Sequence, residues 1–450
     1  MKILFAIHQF DNPSAGGTEV YTAALARALS SKHEVGVLYG SAGKEPGSAS
    51  PWAGVSLFPV FESGAVSDPF LENYEGKARR QEIEKIISDF SPDLLHIQHL
   101  SGLGAGLLEV AAGKVPRILM TLGDYWPFCP RGQMIRDDLE NCELPEASRC
   151  ASCLFVEPAM RNLEGSTRRL AGPFASALPQ VEGFGASKLR LAAAGLLSRI
   201  GGEVAPTLKE YRERVTKRLS RMEDILSPVD LFLAPSRFLL ERYARLGIPW
   251  SKLRHLDYGF ESLPAVSKKA KKLPLRLGFV GTLIPSKGAH IAAQALRHLT
   301  PKTAELHLWG EFAPYHGDVS YKDAMMKALS GLPHEFHGPI PHGRIAEAFE
   351  GMDVLVVPSL WAENSPLVIH EALQAGVPVL ASRAGGIPEL VRDGETGLLF
   401  ETGNARDLAL KIQRFASGDV KFSDPTGWRG AVELLDEHVR KLERLYLGME

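Results

Sequence analysis

Only four cysteines stand among the 450 residues, all between Cys129 and Cys153. So sparse a set excludes the disulfide-stapled scaffold of a small secreted protein. Long hydrophobic runs are missing as well. No uncharged apolar stretch reaches 18 residues, which leaves nothing to cross a bilayer as a helix. Neither sign of charge dominates: 51 Lys and Arg face 53 Asp and Glu, a formal net charge of -2. A nucleic-acid partner is not expected, because backbone neutralisation needs a strongly basic surface. Repeats and low-complexity tracts are also lacking. What remains is 45% hydrophobic and 23% charged, the balance of a folded globular protein. At this length two cores are expected. The apolar start, Lys2 to Ile7, is too short for a signal-peptide core and reads as a first strand, so the cytoplasm is the expected compartment.

Strand-like runs alternate with helical patterns, the mark of parallel sheets joined by crossover helices. The first set is Lys2–Ile7, Glu34–Tyr39, Asp93–Gln98, Arg117–Leu122, Leu231–Pro235 and Lys252–Leu256. The second is Leu275–Gly281, Glu305–Trp309, Glu335–His337, Asp353–Pro358 and Pro378–Ser382. Between them Ser267-Lys268-Lys269-Ala270-Lys271-Lys272 has no apolar face and reads as a solvated linker. The reading is therefore α/β: a first domain over 1–264, a second over 265–429, and a closing helix in 430–450. Ligands of such sheets sit at the strands' carboxyl ends, here in a cleft between facing domains.

The stretch 128–222 interrupts the alternation. From Arg161 to Arg221 it carries twelve Lys and Arg against five Glu. This fits a solvated insertion, or contact with anionic lipid head groups or a lipid-linked diphosphate at the inner membrane face. Its cysteines, Cys129, Cys142, Cys150 and Cys153, include one tight C-x-x-C pair. A four-thiolate structural zinc clamp and free thiols in a reducing compartment fit that spacing equally.

The densest chemistry follows the strand Asp353–Pro358, in Trp361-Ala362-Glu363-Asn364-Ser365-Pro366-Leu367-Val368-Ile369-His370-Glu371-Ala372. Ser365 before Pro366 reads as an N-cap ahead of a first-turn proline, and Gly376 as the stop. A helix starting at a strand's carboxyl edge offers backbone N–H groups and a positive dipole end to an anion. Glu363 just outside that helix and Glu371 in its second turn are placed to face one ligand. Gly16-Gly17, between the first strand and the helix from Tyr21 to Leu29, would let a phosphate approach bare backbone. His96 and His99 end a strand and read as structural histidines.

The E-x7-E pair, with Gly376 and Pro378-Val379 after it, resembles the signature of retaining GT-B glycosyltransferases of family 4. So do Gly385-Gly386-Ile387-Pro388-Glu389, Gly394-Glu395-Thr396-Gly397-Leu398-Leu399 and Ala234-Pro235-Ser236-Arg237-Phe238. The likeness spans nearly the whole chain outside the insertion. It implies two Rossmann-like domains and transfer of a sugar, with retention, from a UDP- or GDP-sugar to a saccharide or lipid-linked acceptor, in polysaccharide or glycolipid synthesis. By the resemblance Glu371 binds the donor ribose and Glu363 attends the transferred sugar. Amides from Asn364 through Ser365 and Pro366 to Leu367 meet the sugar and diphosphate. Lys287, in the segment holding Gly281 and Thr282, contacts the diphosphate. Asp124 and Tyr125 lie on the acceptor side. The chain departs from the family where Thr282 replaces an arginine and Gly123 a histidine, whose place is open to another side chain such as His96 or His99. No Asp-x-Asp stands at a strand end, so catalysis without a metal cofactor is expected, the leaving group being met by Lys287 and backbone amides. An epimerase of the same fold and a non-catalytic relative are the rival readings.

Overall fold

A computed structural model describes residues 1–12, 16–41, 52–61, 69–154, 207–266, 273–420 and 422–449. The proposed linker 267–272 and most of the basic insertion, including Arg161, Arg168, Arg169, Lys188, Arg190 and Arg199, lie outside the described residues.

The first sheet has seven parallel strands: β1 (Lys2–Ile7), β2 (Glu34–Gly40), β3 (Ser56–Val60), β4 (Leu94–Ile97), β5 (Arg117–Thr121), β6 (Leu231–Ala234) and β7 (Leu253–His255). Their order is β3-β2-β1-β4-β5-β6-β7. The second has six: β8 (Leu275–Val280), β9 (Ala304–Trp309), β10 (His334–Gly338), β11 (Val354–Val357), β12 (Val379–Ser382) and β13 (Gly397–Phe400), ordered β10-β9-β8-β11-β12-β13. Every pairing is parallel. Central strands such as β4 and β11 are buried along their whole length, because helices cover both faces of a parallel sheet. Strand order reverses between β1 and β4, and again between β8 and β11. A crevice opens at each reversal, where the two crossovers leave in opposite directions.

Two strands are additions to the sequence reading. β3 carries Pro59 and is half exposed at a sheet edge, so it shows neither alternation nor a closed apolar run. β13 is four residues long and its motif reads equally as a turn.

The closing helix is shorter than its apolar spacing implies, running Leu435–Tyr446. Leu434 instead pairs with Phe260 as an isolated bridge, and Leu435 N–H donates to Phe260 O at 2.8 Å. From there the helix returns to the first domain. His438 Nε2 lies 2.6 Å from Tyr21 Oη, and Tyr446 Oη lies 2.7 Å from Nδ1 of His96. The other nitrogen of His96 meets Thr121 Oγ1 at 2.8 Å. His96 is thus a satisfied core histidine, held neutral because burial, with His438 nearby, lowers its pKa to about 3. Tyr446→Phe strips a buried nitrogen of its partner and is expected to cost about 1–3 kcal/mol. Urea unfolding measures this, with nucleotide affinity unchanged.

Candidate active site

Lys287 and Glu363 meet at the β8/β11 reversal. Beyond β8 the chain passes Gly281 and Thr282 into a short turn, Pro285–Lys287, that delivers the lysine. Beyond β11 an irregular loop delivers the glutamate. Lys287 Nζ lies 2.7 Å from Glu363 Oε1, which also accepts from Ser359 Oγ at 2.7 Å. The ammonium sits over the Trp361 ring, 5.4 Å from its centroid. Glu363 is 2% exposed, while the lysine side chain keeps 32% of its surface open. The carboxylate is anchored and the ammonium can still meet a ligand. Gly385 makes this loop geometry possible: it sits at φ 60°, and a Cβ there would lie 2.0 Å from Glu363 O. Any side chain would drive the glutamate's backbone out of place.

The helix start differs from the sequence reading. Helix Leu367–Ala375 begins one residue later, with Pro366 as its N-cap and no side-chain cap. Ser365 is turned inward, its Oγ 2.8 Å from Nε2 of buried His370. That pairing satisfies two polar groups in the core. It also leaves the first turn's amides without a side-chain oxygen, the condition in which a helix terminus best receives an anion.

Glu371 lies one turn on, 5% exposed. His342 Nε2 lies 2.7 Å from its Oε1, and that bond raises the His342 pKa above the ordinary value against partial burial. Glu371 and His342 line a cavity of about 300 Å³ together with Tyr21, Arg27, Phe260 and Leu367. This cavity is shared between the two domains, because Tyr21 and Arg27 belong to α1 (Gly17–Ser30). The α1 start is likewise without a side-chain cap. Gly17 faces the other helix start: a Cβ on it would come within 3.2 Å of Leu367 Cδ1. The two N-termini therefore approach one another across the cleft.

Of the other donor-side residues, Thr282 is exposed, and Asn364 is buried with its Nδ2 donating to Gly123 O. The residue standing where relatives have histidine thus serves the interface through its backbone. Tyr125 is 1% exposed, with its hydroxyl donating to Ala362 O at 3.1 Å. Asp124 does face chemistry: its Oδ2 lies 3.0 Å from His99 Nε2, and its Oδ1 accepts from Trp126 N–H at 2.8 Å.

Sequence reasoning missed the group around that pair. His8 and His99 have ring centroids 4.8 Å apart, and Glu19 joins them through a 3.4 Å approach to His8 and a 2.7 Å bond from Gln9. Burial and the neighbouring His99 lower the His8 pKa to about 3. Burial works against the charge of His99 too, yet Asp124 and Glu19 outweigh it and raise its pKa. The available signal was position: His8 directly follows β1 and His99 closely follows β4, at the reversal of the first sheet.

All four cysteines are free thiols. They line a second cavity, about 490 Å³, against the first domain. Burial above all pushes Cys142, Cys150 and Cys153 up to about 11. Among the described residues, the set of three candidate metal-ligand atoms lying within 4.8 Å of one another is His307, Glu335 and His337.

Two parallel-sheet domains facing across a cleft, with charged groups at both reversals, define the GT-B class of glycosyltransferases. Comparison with known proteins agrees. The second domain matches the glycosyl transferases group 1 model over residues 274–417, and the first matches the glycosyltransferase family 4 model over residues 15–160. The two matches fall one on each domain. The chain is 38% identical over 100 residues to sulfoquinovosyl transferase SQD2 of Arabidopsis thaliana, 22% of this chain and 19% of that protein. It is 28% identical over 222 residues to the amylovoran biosynthesis glycosyltransferase AmsK of Erwinia amylovora, 47% of this chain and 52% of that one. In both cases the match spans less than two thirds of the relative's own length. The fold is shared with Anabaena HepE, solved with UDP and glucose, at TM-score 0.62 and 16% identity over 99% of each chain. No helix among the described residues is long and apolar enough to cross a membrane.

Proposed function

We propose that the chain transfers a hexose, with retention, from a nucleoside-diphosphate sugar to a saccharide or lipid-linked acceptor in polysaccharide or glycolipid synthesis. The observation that carries this reading is the Lys287–Glu363 pair beside an uncapped helix start, with Glu371 one turn away in the interdomain cavity. UDP and glucose in HepE, and the polysaccharide named for AmsK, support the same donor and product classes. The nucleoside lies in the Glu371 cavity, its ribose hydroxyls donating to the carboxylate. The diphosphate lies across the amides that begin helix Leu367–Ala375, neutralised by Lys287.

In the reaction the bond from the anomeric carbon to the diphosphate oxygen breaks and the acceptor oxygen bonds to that carbon on the same face. The acceptor proton passes to the departing phosphate. Positive charge grows on the sugar as negative charge grows on the phosphate. Glu363 answers the first and Lys287 the second, both already in place, so neither needs to reorganise. His99, hydrogen-bonded to Asp124 at 3.0 Å, lies on the acceptor side of the cleft and orients the incoming group.

Transfer is expected to persist in EDTA, because the cation this site offers the leaving group is the Lys287 ammonium. The check is donor turnover with and without chelator. Complete loss rescued by Mg²⁺ or Mn²⁺ would refute the leaving-group assignment. The function itself is tested by a thermal-shift panel of nucleoside diphosphates and their sugars. A ligand that binds only the folded state raises Tm, and no shift with any of them would count against donor binding.

A further inference from the structure

We propose that Cys129, Cys142, Cys150 and Cys153 form a structural zinc site that folds the 129–154 segment onto the first domain. The four residues come from three separate local structures. Cys129 opens a tight turn, Cys129-Pro130-Arg131-Gly132, closed by Gly132 N–H donating to Cys129 O at 2.9 Å. Cys142 lies on the return of a small hairpin, next to the Ile135–Asn141 bridge, and its N–H donates to Met134 O at 2.7 Å. Cys150 and Cys153 are three apart on the helix over 147–154, so they share one face. Turn, hairpin and helix surround a single cavity lined by all four sulfur-bearing residues. Four thiolates at about 2.3 Å from the ion make the usual closed tetrahedral zinc site. No three of the four sulfurs lie within 4.8 Å of one another, so the side chains must draw together about the ion.

A second, independent observation points the same way. Arg218 is 2% exposed. Its guanidinium donates to Trp126 O and, at 3.2 Å, to Pro127 O, and lies over the Trp126 and Tyr74 rings. None of these partners carries a charge, and a buried cation without one is costly. Cys129 and Cys150, like Asp124, are close enough to act on its charge. Binding one Zn²⁺ releases four thiol protons and leaves a centre of net charge -2. Arg218 on one side, with Arg131 lining the cavity, places positive charge beside it, while Arg136 and Arg149 of the same lining are paired with Asp138, Glu140 and Glu146. No cysteine belongs to the second domain, where Lys287, Glu363 and Glu371 lie, although Asn141 beside Cys142 bonds the loop before Glu363 at Leu360 O and Ala362 N–H.

The test is metal analysis of full-length protein purified without chelator. About one zinc per chain is expected, falling to near zero in the Cys142→Ser/Cys153→Ser double variant. Should that variant fail to fold, wild-type protein loaded with Co²⁺ keeps the question answerable. Four-thiolate coordination gives intense sulfur-to-cobalt charge-transfer absorption, whereas nitrogen and oxygen ligands do not. Zinc well below one per chain with no such absorption on Co²⁺ loading would overturn the site. So would zinc that survives in the double variant but is lost from His307→Ala/His337→Ala, which would place the metal on the second domain's edge strands instead.

Discussion

Glu371→Ala is expected to weaken nucleoside-diphosphate affinity by about 10- to 100-fold, the equivalent of one charged hydrogen bond of roughly 1.5–3 kcal/mol. The ribose does not change during transfer, so the loss falls equally on ground and transition states. KM for the donor should rise and kcat should hold. The fold should tolerate the change. The residue left behind, His342, keeps 34% of its side chain open to solvent and can be satisfied by water. His342→Ala separates the two roles: it removes the partner of Glu371 while leaving the carboxylate free for ribose, and should cost affinity far less. Calorimetry with the nucleoside diphosphate alone reads both variants. Wild-type affinity in Glu371→Ala would remove the ribose from this cavity.

Glu363→Ala is expected to lower kcat by about 10²- to 10³-fold, the range for loss of one preorganised charge partner, while nucleoside-diphosphate affinity stays within about 3-fold. The carboxylate has two tasks. In the proposed reaction it faces the carbon on which positive charge develops, and it holds Lys287 at 2.7 Å in register with the leaving group. The first task does not touch a nucleotide that lacks the sugar, and losing the second costs that nucleotide little, because an ammonium freed of its carboxylate can still meet the diphosphate. Lys287→Ala should differ in kind, lowering both kcat and diphosphate affinity, since the ammonium meets charge present before and after the reaction. Steady-state rates with the full donor, set beside calorimetry with the nucleotide, distinguish the patterns. If Glu363→Ala weakened nucleotide binding as much as Glu371→Ala, the division between sugar and ribose would be wrong.

Much of this architecture was legible in the residues. The strands of both sheets were readable to within a residue or two where they are central, because a strand buried on both faces must be a closed apolar run. Edge strand β3 was not, since half exposure and Pro59 remove the pattern that signals a strand. Glu363 and Glu371 could be singled out because strand-to-helix junctions follow from local rules of capping and periodicity, and Lys287 because its segment resembles the family's. The role of Ser365 could not. Local rules favour its hydroxyl as a cap, and only the packed core brought it to His370. The bond of Tyr125 to Ala362 O likewise needs the second domain, 237 positions away in the chain.

Local chemistry thus determined the two-sheet plan and the strand-to-helix junction that carries Glu363 and Glu371, each of which depends on neighbours a few positions away in the chain, and the family resemblance of those motifs implied the class of protein. Tertiary structure decided the rest. It paired His342 with Glu371, assembled His8, Glu19, His99 and Asp124 at the first reversal, and set the closing helix back on the first domain through His96 and His438. The physical reason is the same in each case. These partners stand between 11 and 417 positions apart, and contacts over such separations exist only once two sheets have buried their faces and brought their carboxyl ends together.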